Sequence, residues 1–117
     1  MTTKQIGDRG EELAAEYLIK NGFTVTARNY HSRYGEIDII AQNTEYILFT
    51  EVKTRGKNRL GTPAEAVDYR KQQKIIKTAF AYLNAHRSRL QPRFDIIEVI
   101  DGQNGMEIEH IENAFGV

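Results

Sequence analysis

The chain has 117 residues of which 40% are hydrophobic, enough for one core and too little for two, so a single domain over residues 1–117 is expected. Its 16 basic and 16 acidic side chains cancel, which removes bulk attraction to a polyanion and confines any nucleic-acid site to a local patch. The lack of cysteine excludes disulfides and thiolate metal sites, His31, His86 and His110 show no zinc-ligand spacing, and no apolar run approaches the roughly 20 residues that cross a bilayer, so a soluble cytoplasmic protein is expected.

Gly10, Leu13, Ala14, Tyr17 and Leu18 recur with the helical period and predict a half-buried helix from Gly7 to Lys20. Asp8 and Glu11 form its expected capping pair, and Asn21-Gly22 its stop. Phe23, Val25 and Ala27 alternate with polar neighbours, predicting a strand over 23–29 with a loop over 30–35. Two strands, 36–42 and 46–53, then face each other across the turn formers Asn43 and Thr44, a hairpin.

Thr62-Pro63-Ala64-Glu65 combines an N-cap threonine, a first-turn proline and a glutamate at the third helical position, so a long helix is expected from there to about His86. It would bury Val67, Ile75, Ile76, Ala79, Phe80 and Leu83 and leave Lys71, Lys74 and Lys77 on another side. Strands over 93–100 and 106–111 flank an Asp-Gly-Gln-Asn-Gly turn. The order α-β-β-β-α-β-β predicts an α/β fold with a mixed sheet flanked by helices.

Side chains two apart on a strand share a face, which groups Glu36, Asp38 and Ile40 on one strand and Ile47, Phe49, Glu51 and Lys53 on the next. With Gln42 opposite Ile47, Asp38 falls opposite Glu51, at a Cβ separation of about 4.5–5.5 Å. A one-residue slip would turn Glu51 away, and the apolar match of Ile40 with Phe49 favours the productive register. Two facing carboxylates repel unless one is protonated or a cation lies between them, and hard oxygen donors select magnesium or manganese. With Lys53 alongside, this constellation suits phosphodiester hydrolysis. The competing reading of the same residues is a surface ion-pair ladder.

Glu11 shares a helix side with Ala14 and Leu18, so it is either a further ligand or base or a capping carboxylate. Arg28 and Arg33 precede the acidic pair, and Arg55, Lys57 and Arg59 follow it with no acid before Glu65, a patch along which a phosphate backbone would run. Lys71 and Lys74, one turn apart, extend this patch or form a solvated face. Tyr30 and Tyr34 beside it either stack on unpaired bases or pack on the domain.

Gly35-Glu36-Ile37-Asp38 followed by Phe49-Thr50-Glu51-Val52-Lys53-Thr54-Arg55 resembles the bacterial YraN family of uncharacterised, endonuclease-like proteins. Gly7 with Glu11, Ala66-Val67 with Lys71, Arg93-Phe94-Asp95 and Asn113-Ala114-Phe115 extend the resemblance over nearly the whole chain. It implies the fold of restriction endonucleases and Holliday-junction resolvases, with their Asp and Glu-x-Lys signature on Asp38, Glu51 and Lys53 and a helix-one glutamate at Glu11. Thr50 is more polar than the family's usual residue there.

The expected activity is therefore Mg2+- or Mn2+-dependent hydrolysis of DNA phosphodiester bonds, on branched or recombining DNA by analogy with the resolvases. A junction cutter needs two active sites, hence a homodimer. The alternatives are a non-catalytic nucleic-acid-binding accessory module of DNA repair, recombination or uptake, and a protein-interaction scaffold.

Overall fold

The computed structural model describes residues 2–56, 67–102 and 105–116. In chain order its elements are α1 (Thr3–Lys20), β1 (Thr24–Ser32), β2 (Gly35–Gln42), β3 (Tyr46–Gly56), α2 (Tyr69–Ala85), β4 (Gln91–Gly102) and β5 (Gly105–Phe115). The expected element order holds, and two boundaries differ for a reason that lies in helix capping. Helix α1 starts at Thr3 because Thr2 and Gln5 form a reciprocal capping box; Asp8, expected to help cap a later start, instead pairs with Lys4 at 3.2 Å.

The long helix expected from Thr62 begins only at Tyr69, since Asp68 is extended and its carboxylate accepts from the Lys71 N–H. The Thr62-Pro63-Ala64-Glu65 signal itself lies outside the described residues, as do Lys57 and Arg59. The segment expected as a loop over 30–35 is mostly strand, because β1 stays paired with β2 as far as Ser32↔Gly35.

Among the described residues the strands lie in chain order in one five-stranded sheet. The pairings β1–β2, β2–β3 and β4–β5 are antiparallel, and β3–β4 is parallel. A parallel neighbour requires a crossover, and α2 lies within it. Phe49, Ile47 and Ile40 pack with Ile75, Ile76, Ala79 and Tyr82 of α2. Leu48, Ile39 and Ala41 pack with Ala14, Ala15 and Leu18 of α1. Consecutive residues such as Leu48 and Phe49 thus serve opposite layers, and a helix covers each face of the sheet.

Phe80 departs from the expected burial, being 52% exposed, while Thr78 and Tyr82 of the same helix are buried. The contact stripe of Ile75, Ile76, Ala79 and Tyr82 follows the helical period, and Phe80 lies one position around from it. Tyr30 packs on the domain, with its ring edge-on to Tyr82 at 5.1 Å.

Helix α1 approaches β3 closely at Gly10, where an added Cβ would fall on the Thr54 hydroxyl. Gly10→Ala is expected to destabilise the fold by about 1–3 kcal/mol through overpacking. The check is the denaturant midpoint, and an unchanged midpoint would show that α1 shifts freely on the sheet.

Candidate functional site

The site arises where β2 and β3 part. Their ladder runs from Gln42↔Ile47 through Ile40↔Phe49, as the hairpin register predicted, and ends at Ile39↔Thr50. Beyond it β2 follows β1 to Ser32↔Gly35, and β3 follows β4 to Gly56↔Asp101. Asp38 and Glu51 are the first residues on either side of the resulting wedge.

The expected direct cross-strand pairing of these acids is therefore corrected: they meet in a gap, not across a ladder rung. The expected common face of Glu36, Asp38 and Ile40 is corrected too. Ile37 packs with the α2 layer and Ile39 with the α1 layer, so the alternation of β2 slips at Asp38. Opposite the slip, Asn29 of β1 adopts a left-handed backbone with φ 51°, a conformation asparagine tolerates better than most residues. Asp38 Oδ2 accepts from the Val52 N–H at 2.8 Å, a donor that the parting of the strands leaves without a rung to β2.

Asp38 and Glu51 nevertheless line one cleft of 530 Å³ with Glu36, Lys71 and Lys74. Burial and then the Glu51 charge push the Asp38 carboxyl from 3.8 to about 7, against the pull of the Val52 N–H and Lys71. Glu51 is 5% exposed. Its Oε1 lies 2.9 Å from Lys71 Nζ and 3.6 Å from Lys53 Nζ. Burial works against the charge of Lys71, yet the hydrogen bond and charge of Glu51 hold its pKa above the ordinary value. The nearest ammonium to Glu51 thus comes from Lys71 of α2, with the expected Lys53 farther off.

Glu11 stands at the margin of this cluster. The Asn29 amide, turned with its nitrogen toward the carboxylates, donates to Glu11 Oε1 at 3.0 Å and Glu36 Oε1 at 3.1 Å. Burial raises the Glu11 pKa, with Glu36 and Glu51 adding to it and Arg28 opposing. Its side chain is not part of the α1 cap, which Thr2 and Gln5 complete.

The donor set fits a hard divalent cation. Two carboxylates converge on one cleft, and burial together with the Glu51 charge makes a negative charge on Asp38 costly there, a cost that a bound cation would offset. No group of three acid or imidazole ligands converges among the described residues. The protein would thus supply Asp38 and Glu51, leaving the other positions to water and substrate oxygens, as is common for magnesium.

The basic patch is brought together only in part. Lys71 and Lys74 line the cleft. Arg28 is drawn to Glu12 at 2.7 Å, and Arg55 to the buried Glu98 at 3.5 Å. Arg33 lies beside Tyr34 in a neighbouring groove, and Lys57 falls outside the described residues.

Sequence reasoning missed a second charged centre. The fully buried Asp95 accepts from Arg93 Nε at 2.9 Å and Nη2 at 2.8 Å, and from the Asn113 N–H at 3.0 Å. His110 Nε2 lies 2.7 Å from Asp95 Oδ2, and His110 Nδ1 lies 3.0 Å from the Tyr17 hydroxyl. The interior aspartate of a strand and Arg93 two residues before it were the available signal; His110 and Asn113 come from β5, and Tyr17 of α1 joins through His110, with no local spacing to Asp95.

No helix among the described residues is long and apolar enough to cross a membrane. Residues 10–99 match the Uncharacterised protein family UPF0102. A UPF0102 protein of Caldanaerobacter subterraneus subsp. tengcongensis is 46% identical over 116 residues, covering 96% of this chain and 95% of the relative. One of Clostridium acetobutylicum is 48% identical over 118 residues, covering 97% and 96%. One of Thermodesulfovibrio yellowstonii is 40% identical over 115 residues, covering 98% and 99%. The YraN resemblance carried by the Asp38 and Glu51-Val52-Lys53 motifs is thereby borne out, and the chain belongs to the uncharacterised protein family UPF0102.

Proposed function

We propose that this protein is a metal-dependent nuclease that hydrolyses DNA phosphodiester bonds in the cytoplasm, with magnesium or manganese held between Asp38 and Glu51. The observation that carries the reading is the acid pair in the β2–β3 wedge, with Lys53 and Lys71 beside Glu51. A bound divalent cation supplies Lewis acidity toward a phosphoryl oxygen and lowers the pKa of a water.

The chain's own residues do the rest. Asp38, fixed by the Val52 N–H, and Glu51, held by two lysines, define where the reacting phosphate sits. Lys53 and Lys71 steady the charge that develops on its oxygens. Lys74, exposed on the same cleft, holds an adjoining phosphate. Glu11 tunes the charge of the acid cluster from α1. A branched or recombining substrate, cut by a homodimer, belongs to the same proposal.

One observation favours a second reading, a nucleic-acid-binding accessory module that does not cut. Lys71 already neutralises Glu51 at 2.9 Å, so the cleft is able to receive a phosphate without a metal. Incubating the protein with single-stranded, duplex, flapped and four-way DNA in magnesium or manganese separates the two. Cleavage of at least one substrate is expected, with a loss of about 100-fold or more for Glu51→Gln. Inertness of the folded protein toward every substrate, with DNA binding unchanged by a chelator, would leave the accessory module.

A further inference from the structure

A second concavity adjoins the acid cleft. The turn between β1 and β2 and the rim of α2 enclose a groove of 920 Å³ lined by Arg33, Tyr34, Lys77, Phe80 and Leu83 among others. Tyr34 and Phe80 are two of the few large apolar side chains left exposed among the described residues, at 37% and 52%. Neither is needed by the core, and both open on the same space.

The groove is cationic as well as aromatic. The Arg33 guanidinium lies 4.9 Å and the Lys77 ammonium 5.9 Å from the centre of the Tyr34 ring. An apolar protein segment would gain little from two cations at that spot. A nucleobase with its phosphate gains from both parts, since every base has a face to stack and the backbone carries the charge.

The platform is held in place. Ser32 Oγ lies 3.0 Å from Thr78 Oγ1 of α2 and accepts from the Tyr34 N–H at 3.0 Å. The Thr78 hydroxyl is itself anchored on the Lys74 carbonyl at 2.8 Å. The groove also lies next to the cleft: Tyr34 is followed by Gly35, which lines the cleft, and α2 supplies Lys74 to the cleft and Lys77, one turn on, to the groove.

We infer that this groove is a subsite for an unpaired nucleotide next to the reacting phosphate, with Tyr34 and Phe80 stacking the base and Arg33 and Lys77 taking the phosphate. The inference rests on the nuclease reading and narrows its substrate to DNA with a single-stranded segment at the cleft. A fully paired duplex has no free base face to offer.

The test uses fluorescence anisotropy with labelled oligothymidylate and a labelled blunt duplex of equal length, in chelator so that nothing is cut. Tyr34→Ala and Phe80→Ala are each expected to weaken single-strand binding about 5- to 100-fold while leaving duplex binding within about twofold, as loss of one stacked base implies. Tyr34→Phe and Phe80→Tyr keep a ring and are expected to retain wild-type binding. Thermal melts of all four variants confirm folding, which these exposed positions leave intact. An unchanged ratio of single-strand to duplex affinity in the alanine variants overturns the inference. If the wild type still cuts DNA with metal in that case, the subsite falls and the nuclease reading stands; a wild type that neither binds nor cuts any DNA removes both.

Discussion

Asp38→Asn is expected to abolish cleavage, by about 100-fold or more, and at the same time to make the metal-free protein more stable at pH 8. The first effect follows from removing one of two carboxylates that hold the cation. The second follows from linkage. The folded-state pKa of Asp38 lies at about 7, above its ordinary 3.8, because of burial and the neighbouring Glu51. A raised acid favours folding fully below pH 3.8, and that contribution is lost as pH rises to and through 7. Asparagine carries no charge to bury and still accepts from the Val52 N–H.

The gain of the variant is thus small near pH 4.5 and complete above about pH 7, at roughly 1–3 kcal/mol once solvent screening is allowed for. Thermal melts across that range read it directly. Manganese is expected to raise the melting temperature of the wild type more at pH 8 than at pH 6, since the bound carboxylate must be deprotonated, and to leave Asp38→Asn unmoved. Equal activity in the variant, or a wild type insensitive to metal at pH 8, would sink the assignment. The same buried repulsion that marks the site costs stability, as functional sites often do.

Asp95→Ala is expected to be the most destabilising single change, at about 3–5 kcal/mol, out of the roughly 5–15 kcal/mol that holds a domain of this kind together. Asp95 is fully buried, and its removal takes the buried carboxylate partner from Arg93 and His110, whose side chains are only 11% and 8% exposed. It also strands the N–H of Asn113, a residue with left-handed φ of 51° opposite the β4 irregularity between Phe94 and Ile96. Chemical denaturation followed by circular dichroism measures the loss.

Asp95→Asn keeps the shape and supplies the reading if the alanine variant does not fold. Burial opposes the charge of Asp95, but His110, Arg93 and the Asn113 N–H outweigh it and hold the pKa below 3.8. A lowered acid stabilises above its unfolded value and ceases to as pH falls through the folded one. The gap between wild type and Asp95→Asn is therefore expected to be full at pH 7 and to close below pH 3.8. A variant as stable as wild type at pH 7 would reduce the Asp95 cluster to a surface-like pairing.

The hairpin register was legible because Ile40 and Phe49, and Gln42 and Ile47, can be matched from alternation alone. With it came the approach of Asp38 to Glu51 and of Lys53 to Glu51. The slip at Asp38 was not legible. It depends on β2 staying with β1 while β3 stays with β4, and neither partner is encoded in the hairpin's own pattern. Lys71 looked like one lysine in a solvated row because nothing local says that α2 lies over the wedge. Phe80 looked buried because an apolar residue near a stripe does not reveal how wide the sheet beneath is.

Residue order by itself determined the element sequence, the mixed sheet, the pairing of β2 with β3 and the motif that places this chain in UPF0102, because periodicity and turn chemistry act within one or two adjacent elements. Tertiary structure alone decided where the strands separate, which ammonium reaches Glu51, how Asp95 gathers His110 and Asn113 from β5, and that Tyr34 and Phe80 share a groove. Those features arise from contacts between residues far apart in the chain, whose distances follow from packing rather than from spacing.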